Sequence, residues 1–537
     1  MGLREEWLRH ICRNTCLPTD PGARRQFLRQ LVWSTTAIGL AGSTALRAQV
    51  APRVRFVADP FALGVASGYP HPTGFTLWTR LAPAPLLPDG GMTEERVTLR
   101  CEIAHDEGFT RIEQSLEVFA SPEAAHSVHV DIDGLESDRA YHYRFVVGDA
   151  VSQVARARTL PAAGSALSHF RIAFASCQNY EHGYFSAYRQ MLKDAPDLVL
   201  FLGDYIYENQ WGDNPIRRHI GGEANTLAGY RVRHAQYKLD ADLQRMHRAG
   251  AWVFTWDDHE VDNDYANDTS ENLDPQFLLR RSAAYQAYFE HLPLPRRMRP
   301  SGNEMRTYTH FDVGDLLRIY LLDDRQYRTP QPCPPQNRHG SRTLDRCDDL
   351  AQPSQTMLGS MQEDWLSGAF QQSSARWNLI GQQTILTPVD ESPGPDRGVW
   401  TDGWDGYPLA RQKLMDAMLD AQLRNPVIAG GDLHCAVVAK LPRETADLES
   451  PSIASEFVTT SLSADGWPQS HYERNRAENP HIKHRRSDQR GYCLLDFKSE
   501  AMDAKLQVVS DVRVKEPSFA TQARYRVENG RPEPQVS

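Results

Sequence analysis

The sequence predicts an α/β domain preceded by a small all-β sandwich. Three observations lead there. Between Phe61 and about Leu160, short segments of alternating polarity such as Phe75–Arg80, Val97–Glu102 and Tyr141–Phe145 are cut by Pro, Gly and Asp turns, the pattern of half-buried antiparallel strands. From Phe170 onward, compact apolar runs alternate with helix-like stretches at Phe185–Lys193, Ser282–His291 and Gln362–Gln371, the pattern of layered α/β structure. Five of those runs then stop abruptly in polar clusters.

Taken in order, the chain begins with Ala23–Arg29, in which the twin arginines Arg24 and Arg25 precede Phe27 and Leu28. A weakly apolar stretch, Leu31 to Ala48, follows and ends in Ala45–Ala48, a small-residue cleavage pattern. This order reads as a twin-arginine export signal over residues 1–48. A signal anchor or an ordinary buried helix is the alternative, but the run is short and broken by Thr, Ser and Gly. No later segment is apolar enough to span a membrane, so the mature protein is expected in the periplasm or outside the cell. The β-sandwich is expected over 55–162 and Pro161–Ser165 reads as a linker by composition. The α/β domain is expected over 166–525 and a polar tail over 526–537.

The five runs are Ile172–Ala175 into Ser176–Gln178, Leu198–Leu202 into Gly203–Tyr207, Trp252–Thr255 into Trp256–Glu260, Leu317–Leu322 into Asp323–Arg325, and Val427–Ala429 into Gly430–His434. Ligands of α/β sheets collect outside the carboxyl ends of strands. One shared site built from these clusters is therefore the economical reading. At 537 residues there is material for two to four domains at ~150 residues each. Hydrophobic residues are 40% and charged residues 24%, which excludes disordered, collagen-like and coiled-coil chains. The 59 basic and 69 acidic side chains leave a net charge of -10, so no basic surface for nucleic acid is indicated. An anionic substrate would need a local positive centre such as metal ions.

Of the 8 cysteines, Cys12 and Cys16 precede the cleavage region. Cys333 and Cys347 flank a Pro-, Arg- and Asp-rich stretch, and a loop disulfide between them is expected in an oxidising compartment. Asp204 and Tyr207 lie at i, i+3, which a turn can fold so that both face one point. Asp432 and His434 lie at i, i+2, which an extended segment would project to one side. Each pair also has a bland reading: a helix-capping Asp with packed tyrosines, and a loop with a hydrogen-bonded histidine. The occurrence of both, in this order, with Trp256–Glu260 between them, favours a metal site.

This combination resembles the calcineurin-like metallophosphoesterase superfamily. More closely, Ser176–Gln178, Leu202–Glu208, Trp256–Asn263 and Gly430–His434 together resemble the PhoD-like alkaline phosphatase family, as do Phe61–Gly68 and Leu77–Pro83 in the leading domain. The resemblance covers roughly residues 58 to 525. It implies a four-layer αββα sandwich after the all-β domain, and hydrolysis of a small phosphate ester. It also implies a ferric ion, Fe(3+), held by Cys177, Asp204, Tyr207 and His434, with Asp204 bridging to calcium, Ca(2+). Thiolate and phenolate donors suit a high oxidation state, while the oxygen set of Asp204, Asp258, Asn263 and Asp432 suits a hard cation.

By the same resemblance Asp204 and Asp258 serve catalysis through the metals, and His259 contacts phosphate or its leaving oxygen rather than a metal. The bland reading of His259 is a hydrogen bond to Glu260 or to backbone. Arg281, Arg325 and Tyr205 are further candidates for substrate oxygens, although arginines near acidic clusters are usually structural partners. One departure stands out: Asp264 occupies a position where family members often carry a second asparagine. A phosphodiesterase or phospholipase D-type enzyme is the alternative within the class. A mononuclear iron oxygenase would want two histidines and one carboxylate, and a purely binding protein would not need the second domain's ligand set. The expected partners are the ester substrate and, for the precursor, the twin-arginine export machinery; the enzyme is expected to be a monomer with no nucleic-acid-binding role.

Overall fold

The computed structural model describes residues 55–537, so the export segment and its two cysteines lie outside the described residues. Two large sheets face each other. In the larger, the spatial order is Arg531–Val536, Phe519–Glu528, Ala501–Val509, Arg490–Lys498, His169–Ala175, Leu198–Leu202, Ala251–Thr255, Val65–His71, Gly74–Arg80 and Ser127–Ile132. In the smaller it is Thr309–Val313, Leu317–Leu321, Trp377–Gly381, Pro426–Gly430, Asp447–Val458, Ala436–Glu444 and Ile482–Arg486. The middle strands of both run parallel and are buried at every residue in Leu198–Leu202, Ala251–Thr255, Leu317–Leu321 and Pro426–Gly430. Strands covered on both faces need continuous apolar runs rather than alternation, which is why these segments read so plainly in the sequence.

The alternation that does exist divides each strand between two neighbours. Leu317, Ile319 and Leu321 pack with Leu200, Leu202 and Val253 in the core between the sheets. Tyr320, Ile380 and Ile428 face the other way, onto Leu366 and Phe370 of helix Gly359–Gln371 and Leu414 and Met418 of helix Pro408–Asp420. On the outer side of the larger sheet, Tyr188, Tyr230, Met246 and Tyr288 bring helices Ala187–Asp194, Leu227–Lys238, Ala241–Ala249 and Phe277–His291 into the same core. The result is helix, sheet, sheet, helix: the four-layer α/β arrangement.

The amino-terminal all-β region is sandwiched in a way its own sequence does not reveal. One layer is a five-stranded sheet of Ile112–Ala120, Val97–Ala104, Ala140–Val147, Ala150–Val151 and Ala155–Arg158. The opposite layer is the end of the large sheet itself, where Ser67 and Gly68 pair in parallel with Ala251 and Trp252. Phe75, Leu77, Val128 and Val130 from that end pack onto Leu99, Ile103, Tyr143 and Phe145. Sheet hydrogen bonds thus cross the Pro161–Ser165 segment that composition marks as a linker.

The carboxyl terminus corrects an expectation. Residues 526–537, expected as a polar tail, complete a hairpin: Phe519–Glu528 pairs with Ala501–Val509, and Arg531–Val536 covers it as the sheet edge. An edge strand exposed on one face is polar by requirement, so polarity there does not distinguish a strand from a tail. Cys333 and Cys347 form a disulfide, with Cα atoms 6.1 Å apart.

Candidate metal centre

The carboxyl ends of the parallel strands all open at one end of the sandwich, and the chain turns sharply there. Cys177, Asp204, Asp432 and His434 have φ values of 58°, 58°, 63° and 51°, left-handed geometry that costs a non-glycine residue about 1–3 kcal/mol and concentrates at functional sites. The segment 432–434 is therefore a tight turn, with Leu433 N–H donating to the Gly431 carbonyl at 2.7 Å, and not the extended stretch its i, i+2 spacing suggested. Gly203, at φ 103°, lets the first carboxylate turn pass the third strand's end, since a Cβ there would sit 2.3 Å from Cβ of Asp257. Glu260 holds the same turn from beneath by accepting the backbone N–H groups of Asp204 at 3.1 Å and Asp257 at 2.9 Å.

The donor atoms of Cys177, Asp204 and His434 all lie within 4.8 Å of one another. Tyr207 completes the group: its hydroxyl donates to Asp204 Oδ2 at 2.9 Å and lies 3.0 Å from His434 Nε2. His434 Nδ1 is bonded to the Asp465 carbonyl, which orients the ring and leaves Nε2 toward the cluster. Asp204 Oδ1 has no hydrogen-bond partner although it is fully buried, and the same is true of Asp432 Oδ2. A buried carboxylate oxygen without a partner is costly.

Burial drives the acidic groups toward their neutral forms. The Cys177 thiol is pushed well up by burial and then by Asp204; the Tyr207 phenol is pushed up by burial, Asp204 and Cys177. Burial raises Asp204 and Asp432 well above the carboxylate range and lowers His434 to about 3. Such a set of crowded, desolvated donors has the chemistry of a cation site, because a positive ion supplies the charge that the protein itself withholds. The residues present fit the groups that the motifs imply.

Asp258 adjoins Asp204 in a second group with His259. It accepts the backbone N–H groups of His259 at 2.9 Å and Asp264 at 2.7 Å. Burial would raise its pKa, but Arg325 and His259 outweigh it and hold the carboxyl well below its ordinary range. Asn263 donates from Nδ2 to Glu271 at 3.2 Å, so Oδ1 is the end left for a cation. Asp264 packs with Asp258 and Asp402, and burial together with Asp402 and Asp258 pushes it up to about 7.

His259 is held by Glu208, with Nδ1 2.8 Å from Oε2, rather than by Glu260. It stacks on Tyr207 with centroids 4.2 Å apart and meets the edge of Trp211 at 5.2 Å. Burial alone would lower the ring, yet Glu208, Asp204 and Asp258 together hold it well above its usual value. The remaining candidates stand away from the cleft. Arg325 lies beneath the carboxylates, bonded through Nε to Asp257 and through Nη1 to Asp402 at 2.7 Å, with Nη2 3.8 Å from both Asp258 and Asp432. Arg281 binds the Asn303 and Asn267 carbonyls, and the buried Tyr205 hydroxyl binds His247 at 2.7 Å.

Over this floor lies an open cleft of about 580 Å³, bordered by Asp204, Tyr207, Asp258, His259, Asn263, Asp432 and His434. Sequence reasoning brought those seven residues to one place. It did not find Glu208, although it directly follows Tyr207 and an acid there could have been read as an orienting partner. It also missed a sixth strand of the same kind, Trp377–Gly381, whose end places Gln383 against Asp324 and Trp256; the run-then-polar signal is present there in Gln382–Thr384. Asp402 carries no local signal.

The order of ligands and the two-part architecture agree with comparisons to known proteins. Residues 172–506 match the PhoD-like phosphatase family model, and residues 46–161 match that of the PhoD-like phosphatase N-terminal domain. The chain belongs to the PhoD-like phosphatase family. It is 38% identical to alkaline phosphatase D of Bacillus subtilis strain 168, over 97% of this chain and 90% of that protein. It is also similar to the solved structure titled "Structure of PhoD", with a TM-score of 0.86 and 38% identity over 90% of this chain and 93% of that one. Family membership therefore rests on both domains, and the left-handed turns carrying Cys177, Asp204, Asp432 and His434 lie within the matched region.

Proposed function

We propose that the protein is an exported, metal-dependent alkaline phosphatase that hydrolyses phosphate esters at the cleft above Asp204. The convergence of Cys177, Asp204, Tyr207 and His434 on one side with Asp258, Asn263 and Asp432 on the other carries this reading. The first set is proposed to hold Fe(3+) and the second Ca(2+), with Asp204 between them and its unpartnered Oδ1 available. Bound there, the cations neutralise phosphate oxygens and make water a usable nucleophile near neutral or alkaline pH. The chain's own contribution is positional. Glu208 fixes the His259 ring so that Nε2 is the nitrogen free to donate to a phosphate or leaving-group oxygen. Glu260 and the left-handed turns hold the donors in place before substrate arrives.

The test combines activity with metal content. The purified protein is expected to release inorganic phosphate from an aryl phosphate, to contain iron, and to be coloured by charge transfer from Cys177 and Tyr207. Chelation is expected to remove activity before colour, because oxygen ligands exchange hard cations more readily than a thiolate releases ferric iron, and added calcium is expected to restore it. A colourless protein that is fully active with zinc alone would refute the metal assignment. A parallel aryl phosphodiester assay decides between monoester and diester preference.

No helix among the described residues is long and apolar enough to cross a membrane. The proposed route is the twin-arginine pathway, followed by action as a monomer in the periplasm or outside. Replacing Arg24 and Arg25 together with lysine is expected to leave folded precursor in the cytoplasm. Cell fractionation checks it, and cleaved protein outside the cytoplasm would show the assignment wrong.

A further inference from the structure

The Cys333–Cys347 loop delivers an arginine to the rim of the cleft. Among the Lys and Arg residues of the described chain, Arg342 alone borders the cleft, whose acidic walls are Asp204, Asp258, Asp264, Glu391, Asp432 and Asp465. Despite those acids, no carboxylate among the described residues lies within ion-pair distance of Arg342. The side chain is exposed, and one of its five N–H donors goes to the Cys333 carbonyl at 3.2 Å. Its backbone, by contrast, is firmly placed. Arg342 N–H donates to Thr401 Oγ1 at 3.1 Å, and Thr401 N–H donates back to the Arg342 carbonyl at 2.9 Å. The next residues pair as a short ladder, Thr343 with Trp400 and Leu344 with Val399. On the preceding side, Ser341 N–H donates to Asp264 Oδ2 at 2.7 Å, which ties the loop to the proposed calcium end. Cys333 N–H donates to Asp349 at 2.9 Å, a second link between the two flanks that the disulfide joins.

A guanidinium exposed at the mouth of an acidic cleft, on a cross-linked loop and without an acidic partner, lacks the usual structural reason for its position. Its planar fork suits phosphate oxygens. We propose that Arg342 is a substrate-binding residue that engages anionic oxygens of the phosphate ester, and that the Cys333–Cys347 disulfide positions it. The inference rests on the phosphatase reading above. It adds an arginine at the rim of the cleft to the metal centre, and it gives the disulfide a role in substrate affinity.

The experiment uses the full metal-loaded enzyme and the variants Arg342→Gln, Arg342→Lys, Cys333→Ser/Cys347→Ser and the triple combination. Readouts are kcat and KM for an aryl phosphate, the binding of inorganic phosphate by calorimetry, and iron and calcium content. Loss of a charge-assisted bond is expected to lower kcat/KM by about 10- to 100-fold in Arg342→Gln, chiefly through KM, with a parallel loss in phosphate affinity and unchanged metals. Arg342→Lys should recover part of it. The cysteine variant should show a smaller loss that vanishes in the Arg342→Gln background, since two changes acting through one contact are not additive. Parental kcat/KM and phosphate affinity in Arg342→Gln would overturn the proposal, and so would loss of metal in proportion to loss of activity. Failure of the phosphatase reading would show instead in the unaltered enzyme, as no phosphate release from any ester; the phosphate titration still decides the role of Arg342 in that case.

Discussion

Asp204→Asn is expected to remove both cations and nearly all turnover while leaving the fold intact. Asp204 is 1% exposed, follows the central strand Leu198–Leu202, and is the carboxylate shared by the group with Cys177 and His434 and the group with Asp258 and His259. An amide retains the shape and can still accept from the Tyr207 hydroxyl, but it brings no negative charge to offset the proposed ferric ion. Turnover should therefore fall by more than the roughly 10–100-fold that loss of an outer hydrogen-bond partner costs a metal site. The direction of the stability change separates a ligand from a merely structural residue. Without cations, burial, with Asp258, Asp257 and Glu260, outweighs His259 and pushes Asp204 toward its neutral form, so the neutral amide should leave the metal-free protein at least as stable as its parent. With cations supplied, the variant should lose the stabilisation that binding gives the parent. Asp258→Asn should act chiefly at the proposed calcium end, since an amide oxygen still coordinates a hard cation. Metal stoichiometry, circular dichroism and thermal unfolding with and without metals check all of this. A folded Asp204→Asn enzyme that keeps both metals and near-parental turnover would refute the shared site.

The second large effect is expected at Arg325, for the opposite reason. This side chain is 1% exposed and stands beneath the site, bonded to Asp257 and Asp402 and facing Asp258 and Asp432. Arg325→Met fills much of the volume but leaves those acids without their shared counter-charge. Removing one partner from a buried ion cluster costs about 3–5 kcal/mol. Asp402 keeps Arg328 at 2.7 Å, so the loss falls on Asp257, Asp258 and Asp432, and it should be largest in the metal-free protein. Lysine should not rescue it, since one ammonium cannot reproduce the guanidinium fork. Thermal unfolding of the metal-free forms is the direct measurement. A parental melting temperature for Arg325→Met would mean that the buried acids are neutral there and need no such partner.

The ligand set was legible in the sequence because its elements are local. Buried parallel strands write themselves as continuous apolar runs, and the residue that follows each run must lie at the strand's carboxyl end. Hence Cys177, Asp204, Asp258, Asp432 and His434 could be assigned to one region from position alone, and Asp204 and Tyr207 meet across one turn as their spacing suggests. Local pattern failed where conformation depends on what surrounds the turn. The stretch from Asp432 to His434 turns through left-handed backbone, and Gly431 before it packs where a Cβ would sit 2.5 Å from Ser176 Oγ.

Everything that pairs across the chain was decided by the tertiary structure. Glu208 reaches His259 over 51 residues, and Arg325 reaches Asp257 over 68 and Asp402 over 77. Sheet order places those partners side by side, and no spacing rule encodes it. The same holds for the strands before Pro161 that join the catalytic sheet through Ser67 and Ala251, for the hairpin at the carboxyl terminus, and for Arg342, which gains its place from Thr401 and a disulfide rather than from a motif. Composition and short-range periodicity report how each segment is buried and which groups it carries. Which charges meet in the low-dielectric interior, and so which are neutralised by protein and which await a cation, is set by strand order and packing alone.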